Sequence, residues 1–486
     1  MTKTTDIRSR LSDADLFREA ALIDGVWIAR ADMEVTNPAT RDTLGTMPDC
    51  TAEETEAAIA AAEAAMVEWR ERTHAERANL LMAWHDLMVQ HAEDLAEILT
   101  AEQGKPLAEA RGEILYGASF VRWFAEEARR INGAIIPSPV KGKKIFAMKE
   151  PVGVCAIITP WNFPNAMITR KVAPGLAAGC TMVIKPSDFT PYSALALGVL
   201  AERAGIPKGV LNILTGRPEV IGETLAASMT VRKLSFTGST RVGSLLARQC
   251  APTLKKLSLE LGGNAPFIVF DDADLDAAIE GVMVSKFRNG GQTCVCANRI
   301  LVQSGIHDAF VARLAKKVDQ LQVGPGTEVG TTIGPMINDA AIGKISAHVS
   351  DAIIKGAERV TKVRELPAHY ADPVVLKGAT TDMQLAGEET FGPVAPVFRF
   401  ETEEEALEIA NGTPYGLAAY FFTTNMARAF RFGEKLQFGL VGLNTGAVSH
   451  AEAPFGGVKL SGLGREGARE GIEEYLETKA FHFGGL

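Results

Sequence analysis

The chain has 486 residues, of which 47% are hydrophobic and 22% charged, and its formal net charge is −9. This length allows roughly two to four domains, and the balance of residue types is that of a folded globular protein. The mild acidic excess argues against a nucleic-acid-binding surface. No stretch reaches the roughly 20 apolar residues of a membrane span, and the N-terminus lacks a signal-peptide core. Six cysteines do not make a disulfide framework, so we expect a cytoplasmic protein without a membrane partner.

The first 130 residues are predicted to be mostly helical. Thr51-Ala-Glu-Glu54 and Thr73-His-Ala-Glu76 each fit a capping box, in which a hydroxyl and a carboxylate satisfy the free amides of a first helical turn. An Ala- and Leu-rich run follows each box. The second run is predicted to end near Gly104, and a third helical segment is predicted over 107–131.

Extended segments are predicted between residues 132 and 151, where Pro and Gly interrupt two apolar stretches. From Val152 onward, β-branched runs alternate with helical ones. Strands are predicted at Val152–Thr159, Thr181–Ile184, Val210–Leu214, Lys233–Phe236 and Pro266–Phe270, and a helix at Ser193–Ala204. This alternation predicts an α/β fold with mostly parallel sheets, continued by a second α/β stretch over about 260–450.

Two glycine motifs are candidates for binding a dinucleotide. Gly462-Leu-Gly-Arg-Glu-Gly467 has the G-x-G-x-x-G spacing, but no apolar strand precedes it, so it is a poor candidate. In Lys233–Gly243 a strand leads through Gly238 and Ser239 into a helical stretch, and a helix N-terminus favours a phosphate. The alternative is an ordinary strand-to-helix turn.

Glu260 and Cys294 are the candidate reactive side chains. Glu260 stands between two leucines and before two glycines, so we expect partial desolvation, which raises a carboxyl pKa toward neutrality. The alternative is an acid paired with a lysine. Cys294 follows Gly290-Gly291, a pair that lets the backbone turn tightly beside a thiol nucleophile. A cysteine taken alone is more often an inert core residue.

Seven motifs stand in the order found in the aldehyde dehydrogenase superfamily, which the chain resembles from about residue 20 to its end. They are Pro160-Trp-Asn-Phe-Pro164, Val183-Ile-Lys-Pro186, Phe236-Thr-Gly-Ser239, Leu259-Glu-Leu-Gly-Gly263, Gly291-Gln-Thr-Cys294, Glu389-Thr-Phe-Gly-Pro393 and Pro454-Phe-Gly-Gly457. The resemblance implies that Cys294 attacks an aldehyde, that Asn162 and the Cys294 N–H hold the oxyanion, and that Glu260 activates the hydrolytic water. Because CoA-dependent members lack this base, a free acid is the expected product.

The resemblance also implies an NAD(P) site. Lys185, which is grouped with the catalytic residues, would hold the adenosine ribose, Glu389 the nicotinamide ribose, and Phe391 would pack beside the nicotinamide. The cofactor-binding residues implied are Thr159, Pro160, Trp161, Asn162, Lys185, Ser187, Asp188, Thr237, Gly238, Ser239, Gly243, Leu261, Glu389 and Phe391. Asp188 stands where NAD-preferring relatives carry a Glu that repels a 2′-phosphate. NAD is therefore favoured, and its shorter side chain leaves NADP use open.

Three further stretches narrow the resemblance: Ala166-Met-Ile-Thr-Arg-Lys171, Ser285-Lys-Phe-Arg-Asn289 and Thr293-Cys-Val-Cys-Ala-Asn298. Within the superfamily they are most similar to succinate-semialdehyde dehydrogenases. Arg170 and Arg288 would clamp a distal carboxylate, and Ser449 would be a third substrate contact. Arg170 lies eight residues after Asn162, so a continuous helix would place both on one face. His450 beside Ser449 leaves glutarate semialdehyde open as the substrate. In some relatives a cysteine placed like Cys296 forms a reversible disulfide with the nucleophile, and packing beneath the loop is the alternative.

The family fold implies a Rossmann-like coenzyme domain, a catalytic α/β domain and a small β flap for oligomerisation. We assign 1–131 and 152–258 to the coenzyme domain, 259–450 to the catalytic domain, 132–151 and 470–486 to the flap, and 451–469 to a return to the coenzyme side. A homodimer or homotetramer is expected, since an isolated ribbon is marginal in water. No metal ligands are assigned. The rival of another class is a catalytically silent protein that keeps this fold.

Overall fold

The structure, a computed structural model, describes residues 6–485. Short β-branched runs form strands, and Ala- and Leu-rich runs form helices. The strands are β1 (Ala20–Ile23), β2 (Val26–Ala29), β3 (Met33–Thr36), β4 (Thr43–Met47), β5 (Ala134–Ile136), β6 (Lys143–Pro151), β7 (Val154–Ile158), β8 (Thr181–Lys185), β9 (Leu211–Ile213), β10 (Val231–Thr237), β11 (Lys256–Glu260), β12 (Ala265–Val269), β13 (Ala297–Gln303), β14 (Glu358–Arg359), β15 (Val374–Ala379), β16 (Val394–Phe400), β17 (Ala418–Phe422), β18 (Leu440–Leu443), β19 (Gly462–Leu463) and β20 (Leu476–Gly484). The helices are α1 (Ala52–Glu71), α2 (His74–Gln90), α3 (Ala92–Gln103), α4 (Leu107–Glu127), α5 (Ala166–Ala178), α6 (Pro191–Arg203), α7 (Pro218–Ala227), α8 (Thr240–Cys250), α9 (Leu275–Val282), α10 (His307–Val318), α11 (Asp339–Ile354), α12 (Gln384–Gly387), α13 (Glu403–Asn411), α14 (Met426–Gly433) and α15 (Glu470–Glu473).

The N-terminal region combines predicted helices with strands that the sequence analysis missed. Both capping boxes, at Thr51 and Thr73, are confirmed, and each begins a long helix. The second helical run breaks at His91 into α2 and α3, and α3 ends at Gly104 with φ 94°. The expectation of mostly helix before residue 130 was wrong for β1–β4. The Asp24-Gly25 turn that joins β1 to β2 is a hairpin signal.

An eight-stranded sheet in the order β19-β11-β10-β7-β8-β9-β1-β2 forms the first α/β unit. Its central strands β11, β10, β7, β8 and β9 are parallel, and β19, β1 and β2 are antiparallel additions at the edges. The strands predicted from Val152 to Phe236 are therefore confirmed. Because these strands are parallel, their carboxyl ends meet at one edge of the sheet.

A seven-stranded sheet in the order β14-β15-β16-β13-β12-β17-β18 forms the second unit, and all of its pairings are parallel except β14 with β15. The chain crosses from the first sheet to the second through Gly262-Gly263, between β11 and β12. An added Cβ at Gly263 would lie 2.7 Å from the Cys294 carbonyl oxygen. The crossing thus brings the carboxyl edge of the first sheet close to the residues that precede β13.

A three-stranded antiparallel sheet, β20-β6-β5, forms the predicted flap. The C-terminal strand β20 is an edge strand of this sheet. It pairs with β6, from Leu476 opposite Pro151 to Gly484 opposite Lys143. Over the described residues, no helix is long and apolar enough to cross a membrane.

Candidate active site

A cavity of about 260 Å³ lies where the two large sheets approach each other. Its lining comes from the carboxyl ends of β7, β10 and β11 with the loops that follow, from the loops before β13 and β16, and from helices α5 and α11. Ten residues predicted for the site line it: Pro160, Trp161, Asn162, Thr237, Gly238, Ser239, Leu261, Cys294, Glu389 and Phe391. Four that the sequence analysis did not assign to the site complete it: Phe163, Met167, Gly262 and Lys344.

The loop that carries Cys294 is bent by three consecutive left-handed residues. Asn289, Gly290 and Gly291 have φ values of 52°, 61° and 76°. A Cβ at Gly291 would lie 2.3 Å from the Gly392 carbonyl oxygen, so only glycine fits there. The tight turn predicted at Gly290-Gly291 is confirmed.

Cys294 is a partly buried thiol that faces the cavity. Desolvation raises its pKa to about 12, against the opposing effect of the Arg170 cation and of its own backbone N–H. The thiol therefore keeps its proton near neutral pH. A nucleophilic thiolate requires a proton acceptor close by.

Glu260, the last residue of β11, is that candidate acceptor. Its side chain is buried, and neither carboxylate oxygen has a hydrogen-bond partner among residues 6–485. Desolvation, followed by repulsion from Glu466, holds the pKa of Glu260 well above its ordinary value. Gly456 leaves space for the carboxylate, since a Cβ there would lie 2.9 Å from Glu260 Oε1. The alternative of an acid hydrogen-bonded to a lysine does not describe this side chain.

Asn162 lies in the loop between β7 and α5. Its Nδ2 donates to the Gln292 carbonyl oxygen at 3.1 Å, which joins this loop to the one that carries Cys294. Because α5 begins at Ala166, Asn162 is outside the helix that carries Arg170. The prediction that the two residues share one helix face was wrong. The Asn162 side-chain amide connects its own loop to the Cys294 loop, and no shared helix is involved.

The loops after β8 and β10 provide the polar groups suited to a dinucleotide. Ser239 caps α8, accepting a hydrogen bond from the Val242 N–H at 3.3 Å, so the predicted strand-turn-helix arrangement is confirmed. Thr237 Oγ1 and Thr159 Oγ1 are buried without a partner among the residues described. Lys185, whose pKa is lowered by burial, forms an ion pair with Asp188.

The opposite wall carries Glu389 and two aromatic rings. Desolvation raises the pKa of Glu389 to about 7, and its Oε1 accepts a hydrogen bond from the Gly263 N–H at 3.4 Å. The rings of Trp161 and Phe391 meet edge to face with centroids 5.7 Å apart. An apolar slot beside two carboxyl groups suits a flat, partly polar ring.

Arg170 is buried and forms an ion pair with Glu466. Its guanidinium lies 4.1 Å above the Phe455 ring centroid. Its Nη2 has no hydrogen-bond partner within the described part of the chain. Lys171 is buried as well and pairs with the same Glu466 carboxylate. Arg170 is not among the residues that line the cavity, and its buried Nη2 is a donor available to a ligand.

Arg288 and Ser449 lie at other points around the same region. Arg288 is exposed, with its guanidinium 4.8 Å from the Phe163 ring centroid. The Ser449 hydroxyl is hydrogen-bonded to the Tyr116 hydroxyl. Because Phe163 lines the cavity, Arg288 contacts a residue of the cavity wall, but it does not itself line the cavity.

Cys296 is buried, and its sulfur lies 3.3 Å from Lys286 Nζ. Desolvation raises its pKa, and the lysine opposes that rise. Both Cys294 and Cys296 are free thiols. Of the remaining predicted cofactor residues, Ser187 accepts a hydrogen bond from the Phe189 N–H, and Gly243 packs against Leu261.

Comparison with known proteins decides the family. The model described as "Aldehyde dehydrogenase family" matches residues 27–481, nearly the whole chain. The chain belongs to the aldehyde dehydrogenase family. A crystal structure of an aldehyde dehydrogenase from Brucella melitensis biovar abortus 2308 superposes with a TM-score of 0.96 at 58% identity, covering 98% of this chain and 99% of that one. The fold predicted from the motifs is therefore confirmed.

Three curated aldehyde dehydrogenases of similar length illustrate the range of relatives. A glutarate-semialdehyde dehydrogenase of Pseudomonas aeruginosa is 54% identical over 98% of this chain and 100% of its own length. A 3-sulfolactaldehyde dehydrogenase of Pseudomonas putida is 55% identical over 98% and 99%. An NADP(+) succinate-semialdehyde dehydrogenase of Escherichia coli is 54% identical over 97% and 98%. As an aldehyde dehydrogenase, the chain is an oxidoreductase that uses NAD(P) and acts on small aldehydes.

The sequence analysis missed the charged residues that support the site of this aldehyde dehydrogenase. Lys171 and Glu466 pair with each other across 295 positions, and Lys105 with Glu113 is a second buried pair. Tyr116, the partner of Ser449, comes from α4. Lys171 adjoins Arg170 in sequence and could have been found as a second cation on one helix, whereas no local pattern signals Glu466.

Proposed function

We propose that this aldehyde dehydrogenase oxidises an aldehyde bearing a distal carboxylate, with succinate semialdehyde converted to succinate as the leading reaction. The observation that carries the proposal is the buried Arg170 Nη2, which has no hydrogen-bond partner among residues 6–485. A buried donor left unsatisfied costs about 1–3 kcal/mol, and a substrate carboxylate would satisfy it with a charge-assisted bond.

The charges around Arg170 support an anionic ligand. Arg170 and Lys171 are both cations, while Glu466 is the carboxylate that they share, and its pKa is lowered by the two of them. These two cations outnumber the carboxylate that they share by one charge, and an incoming carboxylate would neutralise that excess.

The printed names of the relatives agree with this class of substrate. Glutarate semialdehyde, succinate semialdehyde and 3-sulfolactaldehyde each combine an aldehyde with an anionic group. Glutarate semialdehyde is the second candidate, because the exposed His450 follows Ser449, the third proposed substrate contact, and would change the polarity of the site there.

In the proposed reaction, Glu260 as a carboxylate takes the proton of Cys294, and the sulfur attacks the aldehyde carbon. The Asn162 amide and the Cys294 N–H donate to the resulting oxyanion, a type of interaction whose loss costs roughly 3 kcal/mol. When bound, NAD(P) supplies the hydride acceptor. Glu260 then releases the proton taken from Cys294 to solvent and returns to the carboxylate form. The thioester left on Cys294 is hydrolysed by a water whose proton passes to Glu260 and from there to the departing sulfur, which gives the free acid and the thiol.

The groups proposed to hold NAD(P) fit a dinucleotide. The free amides at the start of α8 and the unpartnered hydroxyls of Thr237 and Thr159 are donors suited to phosphates. Lys185 and Asp188 would face the adenosine ribose, and Glu389 the other ribose. A carboxylate at Asp188 disfavours a 2′-phosphate, so we propose NAD as the preferred form.

Assembly and location are part of the proposal. Ile135, Phe481 and Phe483 are exposed apolar side chains on the flap, which suits a homodimer or homotetramer. Size-exclusion chromatography with light scattering tests this, and a monomer would refute it. All six cysteines are free thiols, which agrees with a reducing cytoplasm.

The test of substrate is a panel of kcat/KM values for semialdehydes and plain aldehydes of three to six carbons, each with NAD and with NADP. The expected order places succinate semialdehyde first and its uncharged analogue butanal far below. Equal values for charged and uncharged aldehydes would refute the carboxylate proposal. The absence of NAD(P)H production from every aldehyde would revive a catalytically silent role.

A further inference from the structure

A buried polar cluster lies behind the cavity and joins the loop of Asn162 to the loop of Cys294. The Asn162 carbonyl oxygen accepts hydrogen bonds from Lys105 Nζ at 2.8 Å and from Asn289 Nδ2 at 3.0 Å. Asn289 Nδ2 also donates to the Gln292 carbonyl oxygen at 3.2 Å, which is the oxygen that Asn162 Nδ2 contacts at 3.1 Å. Two backbone oxygens, one on each loop, therefore share one donor, Asn289 Nδ2.

Lys105 reaches this point from the turn between α3 and α4. Its side chain is fully buried and pairs with Glu113, with the ammonium 3.9 Å from the Phe163 ring centroid. The other oxygen of Glu113 accepts hydrogen bonds from the N–H groups of Asn165 at 3.0 Å and Ala166 at 3.3 Å, at the start of α5. The pair thus holds the Asn162 loop at its carbonyl and at the helix that follows.

Asn289 is fixed on every side. Its backbone N–H donates to Glu109 at 2.7 Å, and its Oδ1 accepts a hydrogen bond from Gln103 Nε2 at 3.1 Å. It adopts φ 52°, a left-handed conformation that asparagine tolerates better than most residues. Its backbone N–H and the oxygen of its side-chain amide are therefore held by α4 and α3, while the amide nitrogen donates to the two loops.

We propose that Lys105 and Asn289 are positioning residues that fix the Asn162 amide relative to the Cys294 sulfur. The inference rests on the proposed role of Asn162 as the oxyanion donor. Neither residue lines the cavity. A displacement of about 1 Å in a reacting group lowers the rate by about 100-fold, so a donor held by two loops needs this kind of support.

The first test is a double-mutant cycle between Lys105→Met and Asn162→Ala. The readout is the rate of NAD(P)H formation in the first turnover with succinate semialdehyde. Lys105→Met is expected to lower this rate by about 10- to 100-fold while the dissociation constant of NAD stays within about threefold. In the Asn162→Ala background, the same substitution is expected to change the rate by less than about threefold, because the donor it positions is already absent.

A matched control separates positioning from loss of stability. Lys233 is also a buried lysine, bonded to Ser258 and Glu474, and it lies outside the cavity. Lys233→Met is expected to lower Tm as Lys105→Met does, yet to keep the first-turnover rate. Should Lys105→Met not fold, Asn289→Gly takes its place, since glycine accepts φ 52° without strain and only the side-chain bonds are lost.

The outcomes are distinct. If Lys105→Met or Asn289→Gly lowers the rate by the same factor with and without the Asn162 side chain, the positioning role is overturned while the proposed function stands. Unchanged first-turnover rates in both single variants overturn it as well. If Asn162→Ala alone leaves the rate unchanged, the oxyanion assignment in the proposed function fails, and the positioning role fails with it.

Discussion

Replacing Arg170 by methionine separates recognition of a substrate carboxylate from the rest of catalysis. Methionine keeps much of the apolar stem but removes the guanidinium. Glu466 keeps Lys171 as an ion-pair partner, so its carboxylate is not left unpaired in the interior. The lost interaction is one charge-assisted bond from the unused Nη2, which contributes about 1.5–3 kcal/mol. That free energy corresponds to about a 10- to 150-fold fall in kcat/KM.

The assay compares succinate semialdehyde with butanal, which has the same number of carbons and no carboxylate. The unsubstituted enzyme and the variant are compared on the high-pH plateau of their pH profiles, where the effect of Arg170 on the pKa of Glu260 no longer enters. In Arg170→Met, kcat/KM for the semialdehyde is expected to fall by that factor, and the value for butanal is expected to stay within about threefold. Arg399→Met, which removes an exposed arginine on β16, serves as the control and should change neither value. Equal losses for both aldehydes in Arg170→Met would refute the reasoning, because the arginine would then act on the reaction and not on the carboxylate.

Three further predictions concern the base, the cofactor and the thiols. Burial raises the pKa of Glu260 and catalysis needs its carboxylate form, so kcat/KM should increase as pH rises through that raised pKa. Glu260→Gln should abolish this increase with pH and leave a burst of acyl-enzyme, and an unchanged pH profile in this variant contradicts the assignment. Asp188→Ser removes the carboxylate paired with Lys185, and kcat/KM with NADP relative to NAD should rise by about tenfold or more; an unchanged ratio means that Asp188 does not face the 2′ position. If Cys294 and Cys296 form a disulfide, peroxide should inactivate the enzyme and dithiothreitol should restore its activity, and Cys296→Ser should not recover in this way. Irreversible loss of activity, or no loss, in the unsubstituted enzyme argues against a redox switch at these two thiols.

The sequence predicted features that depend on neighbouring residues. The capping boxes at Thr51 and Thr73 are local patterns, and so is the alternation of strands and helices from residue 152, because both reflect backbone chemistry within one element. The resemblance supplied the order of the motifs, and twelve of their residues line one cavity. The four strands before residue 50 were missed although the Asp24-Gly25 turn between β1 and β2 is a local hairpin signal.

Long-range ion pairs could not be predicted in this way. Glu466 lies within a glycine motif that looks like a weak dinucleotide fingerprint, and nothing near it in sequence indicates a partner. The fold brings it against Arg170 and Lys171, from the other end of the chain. The same holds for Lys105 and Asn162, which are 57 positions apart. Side chains of this kind are paired by topology, so their roles emerge only with the structure.

The buried charges tie recognition of the substrate to the chemistry that follows. The Arg170 cation lowers the pKa of both Cys294 and Glu260, while Glu466 raises that of Glu260. A substrate carboxylate bound to Arg170 would offset part of this positive charge, so both groups hold their protons more tightly while the anion is present. An uncharged aldehyde leaves the cation free to act on both groups. Arg170 therefore cannot bind the substrate carboxylate without also changing the pKa of Glu260. An anionic substrate and an uncharged aldehyde of equal length consequently react in active sites of different net charge.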